Sequence, residues 1–184
     1  MKKGILSILF VSLISIFVFG SPGKSEAATY PDSSVTVKSG DIIHSPKSSS
    51  TYFAGHVGIV GNDGYVYHSY PNSSGKLKSS VSYYINDLFK DVDVTVRRYN
   101  GSADLENVGK AAVSLYGNVE SYSFNEDLSN YKKNYCSKFV WQAYYLATGI
   151  DPLAKGYSYY DKAFILPSEF KSSSKFDTVK TYSR

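Results

Sequence analysis

The chain has 184 residues, 42% of them hydrophobic, and a formal net charge of +4. Without Lys2, Lys3, Lys24 and Glu26 of the N-terminal segment the excess falls to about +2, which excludes a strongly basic nucleic-acid binder and tolerates an anionic cell wall as surroundings. A load of 18 Tyr and 10 Phe against one Trp and one Met provides many phenols that sit half buried, and a single Cys excludes an internal disulfide.

In chain order, Lys2 and Lys3 precede an apolar run over 5–19, and a small, polar stretch over 20–28 follows. That order is a secretory signal peptide, because a run of about fifteen residues falls short of the roughly twenty that cross a bilayer. Ser25 and Ala27 are small residues at the positions a signal peptidase reads, which places cleavage after Ala27, or after Ala28 as second choice. An uncleaved membrane anchor is the competing reading. Residues 1–27 are thus expected to be removed, and 28–184, about 157 residues, to form one domain. The product is expected to be secreted or cell-wall associated, without stable membrane insertion.

Gly40-Asp41-Ile42-Ile43-His44 reads as the opening of a short strand, with a serine-rich loop over 45–51 after it. The β-like runs 56–61 and 65–70 flank Asn62-Asp63-Gly64, which is turn chemistry for a hairpin. A short helix is expected over 80–89 and an alternating strand over 92–99. Apolar residues recur at helical spacing over 105–116, with Asp104 and Glu106 in the first turn and Gly117 as a stop. The strongest helix begins at Cys136 and carries Phe139, Val140, Ala143, Leu146 and Ala147 as its apolar stripe, with Asn134 to cap it and Gly149 to end it. A closing strand is expected over 176–182.

Cys136 is a buried passenger, an intermolecular linker or a reactive thiol, and its neighbourhood has to decide. A cysteine attacks as thiolate, and the first turn of a helix favours that negative charge through its unpaired N–H groups and aligned dipoles. The base can be sought in the hairpin. A three-residue loop, 62–64, makes Ile59 face Tyr67 and Gly58 face His68, so that His56 and His68 share a face as diagonal neighbours across the missing side chain of Gly58. One ring nitrogen of His56 is then free for the thiol while His68 holds the other. At the surface of a hairpin, His68 is expected to matter little for stability. His44 reads as a strand-end histidine and Asp41 as a turn or capping carboxylate. A zinc site from His44, His56 and His68 matches no metal-ligand spacing, so neither metal nor cofactor is expected.

The segments Gly40-Asp41-Ile42-Ile43, His56-Val57-Gly58-Ile59-Val60, Val66-Tyr67-His68-Ser69 and Cys136-Ser137-Lys138-Phe139-Val140-Trp141 resemble those of NlpC-type cell-wall peptidases. The cysteine helix follows the histidine strands here, which resembles the circularly permuted, YiiX-like branch of the papain-like hydrolases; Ile165-Leu166-Pro167-Ser168-Glu169-Phe170 resembles a segment found after the cysteine helix in that branch. The resemblance implies an α+β fold, a small antiparallel sheet packed against the cysteine helix. It implies Cys136 as nucleophile, His56 as base and His68 as the residue that orients the base. Two departures stand out: Tyr135 replaces the usual Asp before the cysteine, and His68 replaces the Glu frequent in the permuted branch. The expected activity is amide hydrolysis through a thioester, with peptidoglycan stem peptides as substrate. The alternatives are an acyltransferase or thioesterase acting on lipid-like acyl groups, and a catalytically silent wall-binding module.

Overall fold

The turn at Asn62-Asp63-Gly64 sets the register of the central hairpin. Gly64 adopts φ +79°, a left-handed conformation that glycine enters without steric cost, and Gly61 N–H donates to Tyr65 O at 2.8 Å. Strands β2 (His56–Val60) and β3 (Val66–Ser69) then pair as Ile59 with Tyr67 and Val60 with Val66, the register expected from a three-residue loop. The structure, a computed structural model, describes residues 28–48 and 54–184. The segment read as a signal peptide, 1–27, and the end of the serine-rich loop lie outside the described residues.

Around that hairpin, β1 (Ile42–Ser45), β4 (Lys76–Ser79), β5 (Val94–Tyr99) and β8 (Phe176–Tyr182) complete a six-stranded sheet in the order β4-β3-β2-β1-β5-β8. Every pair in it is antiparallel. The chain leaves the sheet between β5 and β8 to form α2 (Leu105–Asn118), the short parallel pair β6 (Ser121–Tyr122) and β7 (Lys133–Asn134), α3 (Cys136–Thr148) and α4 (Pro167–Ser172). The fold is α+β, with the cysteine helix laid on an antiparallel sheet as expected.

Alternation along the strands divides the core between the two faces. Ile42, Val57, Ile59 and Tyr67 meet Val108 and Ala112 of α2 and Phe139, Val140 and Ala143 of α3. On the opposite face, Ile43, Val60 and Val66 meet Tyr30 of the N-terminal lead and Tyr84, Ile85 and Phe89. These last residues follow α1 (Val81–Tyr83), which Ser80 caps and which continues as a π-helical turn over Tyr84–Leu88. Helix α2 lies so close to the hairpin turn that a Cβ on Gly109 would stand 2.7 Å from Asn62 N and 2.0 Å from Ser39 Oγ, so a bare backbone is what permits the contact.

Three local readings need correction. Gly117 does not stop α2, which runs on to Asn118, because an exposed glycine near a helix end lowers helicity without blocking it. Tyr135, in extended conformation, is the N-cap of α3, and Asn134 instead accepts from Tyr135 N–H and donates to Gln142 Oε1 at 2.7 Å. Asp41 is more than a turn residue: besides accepting from Lys38 N–H, it is fully buried, receives both Nε and Nη2 of Arg98 at 2.7 Å and accepts from Tyr30 OH at 2.8 Å. A buried carboxylate needs such partners, and the sequence does not show that Arg98, on the neighbouring strand β5 but distant along the chain, supplies them.

Candidate active site

Helix α3 delivers the thiol. It is buried on all sides over its first nine residues, Cys136 to Tyr144, and no side chain caps its first turn. Two buried side chains hold the preceding loop in place. Lys138 Nζ donates to Asp127 O and Lys133 O, and Gln142 Nε2 donates to Leu128 O. On the other side, Ser137 Oγ donates to Ile165 O at 2.7 Å and Tyr135 OH accepts from Ile165 N–H at 2.9 Å, which fixes the segment 165–170 against the head of the helix.

The histidines come from the hairpin. His56 Nε2 and His68 Nδ1 lie 2.8 Å apart, with rings edge-on, and His68 Nε2 lies 3.5 Å from Ser79 Oγ on β4. Gly58 sits between them as expected. A Cβ there would stand 2.7 Å from Val66 Cγ1 and 3.1 Å from the Tyr84 ring, so the gap already belongs to neighbours. Tyr70, Tyr84 and Phe89 surround the imidazole pair. His68 is fully buried, which overturns its reading as a surface position: the aromatic residues after β4 cover that face of the hairpin.

Thiol and imidazoles belong to opposite faces of the sheet: Cys136 packs with Val57 and Ile59, whereas the imidazoles lie against Tyr84 and Phe89. Hydrogen-bonded pairing of β2 with β3 ends at Ile59↔Tyr67. In an antiparallel ladder the N–H groups of alternate residues point to the same neighbour, so the Val57 N–H, released from β3, faces the gap. It hydrogen-bonds to the sulfur of Cys136, next to the peptide of His56.

Burial governs the protonation of this cluster. It raises the Cys136 thiol above its ordinary pKa, against the downward pull of the Val57 and Ser137 N–H groups and the Ser137 and Tyr122 hydroxyls. Burial also lowers His56 to about 3, helped by the charge of His44, and lowers His68 well below the usual value, helped by His56. Burial thus opposes the negative charge that the head of the helix favours on Cys136, and opposes positive charge on both imidazoles.

Cys136, only 2% exposed, opens onto a pocket of about 250 Å³. Tyr122, Phe124, Tyr135, Phe164 and Leu166 form much of its wall, without a charged side chain. Sequence reasoning missed Tyr122 and Phe124, which lie in a stretch without motifs. Tyr135, visible only as a departure from the usual Asp, proves to be both pocket wall and brace. His44 stands apart from the imidazole pair: it lies in β1, with Nδ1 buried and without a hydrogen-bond partner. Among the described residues no group of three or more His, Cys, Asp or Glu is gathered to hold a metal ion, and no helix is long and apolar enough to cross a membrane.

No family model matches the chain. A Bacillus thuringiensis protein described as an uncharacterized 30.3 kDa protein is 28% identical over 162 residues, covering 80% of this chain. The chain spans 58% of the length of that relative. Among solved structures, the crystal structure of the metalloprotein YiiX from Escherichia coli O157:H7 is similar with a TM-score of 0.57 and 16% identity, over 80% of this chain and 98% of that one. At that identity the likeness concerns architecture alone. The chain thus has a YiiX-like α+β fold.

Proposed function

We propose that the chain is a cysteine hydrolase of circularly permuted, papain-like design, with Cys136 as nucleophile, His56 as general base and His68 as its orienter. The observation that carries this reading is the buried 2.8 Å contact between His56 Nε2 and His68 Nδ1, made beside the strand whose Val57 N–H meets the thiol. If the His68 Nε2–H points to Ser79 Oγ, His68 Nδ1 is an acceptor, the proton between the rings belongs to His56 Nε2, and His56 Nδ1 keeps a lone pair. That tautomer can take the thiol proton.

The sulfur attacks the acyl carbon as its proton passes to His56, and the carbonyl electrons move onto oxygen. The uncapped N–H groups at the head of α3 are placed to stabilise that oxyanion. Collapse breaks the bond to the leaving amine, which takes the proton from His56. Water, with His56 again as base, then releases the acyl group as acid and restores the thiol. YiiX is described as a metalloprotein. Here two histidines direct their facing nitrogens at each other, and among the described residues no three-ligand group is gathered, so these residues do not fit a metal centre and the steps above are derived from the side chains alone.

Amide bonds in peptidoglycan stem peptides are the leading substrate, and the signal-like pattern of residues 1–27 supports a reaction outside the cytoplasm. N-terminal sequencing of exported protein is expected to begin at Ala28 or Thr29, and Met1 retained in a membrane fraction would refute the export reading. The uncharged aromatic wall around Cys136 favours a second reading, a thioesterase or acyltransferase for apolar acyl groups. Acid-quenched incubations with defined muropeptides and, in parallel, lipid-like acyl esters separate these by intact mass. A muropeptide-derived adduct on Cys136, absent from Cys136→Ala, is the expected result; an acyl-chain adduct would shift the assignment to the second reading. Wall binding unaffected by Cys136→Ala, with no adduct on the parent protein, would leave a silent binding module.

A further inference from the structure

A second cavity, of about 530 Å³, adjoins the pocket at Cys136 and shares Ala54 and Leu166 with it as common wall. Its chemistry is different. Where the first is aromatic and uncharged, the second is lined by Lys47, Lys171, Ser168 and His44. Among the described residues no carboxylate lines it, and neither Lys47 nor Lys171 enters a salt bridge.

His44 gives the cavity a built floor. The residue is 3% exposed, and its Nδ1 is buried without a hydrogen-bond partner, as is Nε of Arg97 on the same face of the sheet. An unsatisfied buried nitrogen is costly, and one on a residue that lines a cavity together with two ammonium groups marks a place where an acceptor is wanted. After burial, the charges that depress His44, to about 4, are those of Lys171 and Arg97, both cationic. The field at that end of β1 is therefore positive, and His44 as a neutral imidazole has one N–H to donate.

Resting on the hydrolase reading above, we propose that this cavity is a subsite for an anionic group of the substrate, a carboxylate or a phosphate, held by Lys47, Lys171 and His44 while the scissile acyl group lies at Cys136. The subsite selects substrates that are apolar at the reacting carbonyl and negatively charged a short distance beyond it. Such an arrangement reconciles an uncharged pocket around the thiol with a substrate that is itself charged.

The test is binding to Cys136→Ala protein, which separates recognition from turnover. Two pairs with the same alkyl chain and different charge serve as probes in calorimetry: N-octanoylglycine against N-octanoylglycinamide for a carboxylate, and octyl phosphate against octanol for a phosphate. The anionic member of at least one pair is expected to bind about tenfold more tightly than its neutral partner. The pair showing the preference identifies the anion. In the variant that also carries Lys47→Ala and Lys171→Ala the preference should vanish while the neutral partner binds as before. Equal affinity within both pairs, no binding by any probe, or a preference that survives the lysine substitutions would overturn the subsite. Any of these results leaves the role of Cys136 to be judged by the adduct experiment.

Discussion

Alanine at His56 is expected to lower kcat by about a thousand- to ten-thousand-fold, and alanine at Cys136 to abolish turnover. Burial raises the Cys136 thiol, which makes proton removal by a base more important to its attack. His68 acts one step further out. Gln at 68 can still accept from His56 Nε2 and fills most of the same volume, so His68→Gln should retain part of the activity, whereas His68→Ala should cost about 10- to 100-fold, mainly in kcat. Because His68 is fully buried, the alanine variant should also lose stability, on the order of 1–3 kcal/mol, through a void and an unpaired His56 nitrogen. Turnover and urea midpoints measured on the same preparations separate the two effects. Full activity in His56→Ala would refute the assignment of the base.

Acid should unfold the protein well above the range in which carboxylates protonate. Burial, with the charges of Lys171 and Arg97, lowers His44 to about 4, and burial, with His44, lowers His56 to about 3; His68 is depressed as well. An unfolded chain protonates these rings near 6.5. Below that pH the unfolded state binds more protons than the folded one, so the contribution is complete above pH 6.5 and drains away as the pH falls toward 4 and then 3. The total is on the order of several kcal/mol, a large share of a small domain's stability. Urea midpoints are expected to hold between pH 7.5 and about 6.5 and to fall steadily from there to about 4.5, and His44→Gln should flatten the slope. The measurement also bears on the resting state. A Cys136 thiolate paired with a His56 imidazolium would keep one proton on the folded protein and remove His56 from the slope, and a midpoint unchanged down to pH 5 would contradict neutral, buried rings.

Much of the site was legible because short-range rules wrote it. Asn62-Asp63-Gly64 determines the register that brings His56 and His68 together, and the apolar stripe from Cys136 to the left-handed Gly149 defines α3. What escaped depends on contacts distant in sequence. That His68 is interior follows from Tyr84 and Phe89 folding over the hairpin, and that Asp41 is an ion-pair centre follows from Arg98 arriving on β5. The environment of Cys136 was half legible for a related reason. The helix head is local and readable, whereas the desolvation that opposes it comes from the whole surrounding core.

The excursion between β5 and β8 gives the site a history in time. The strands that carry His56 and His68 are neighbours in sequence, whereas Cys136 lies inside a loop that closes only when Phe176 pairs with Tyr99 and Tyr182 with Val94, where Tyr182 OH also reaches Pro31 O at 2.8 Å. Local hairpins form quickly, and closures across long stretches of chain come late. The two imidazoles therefore have the opportunity to meet before the thiol is delivered, and Cys136 comes to rest against the sheet only as the chain completes its last ladder.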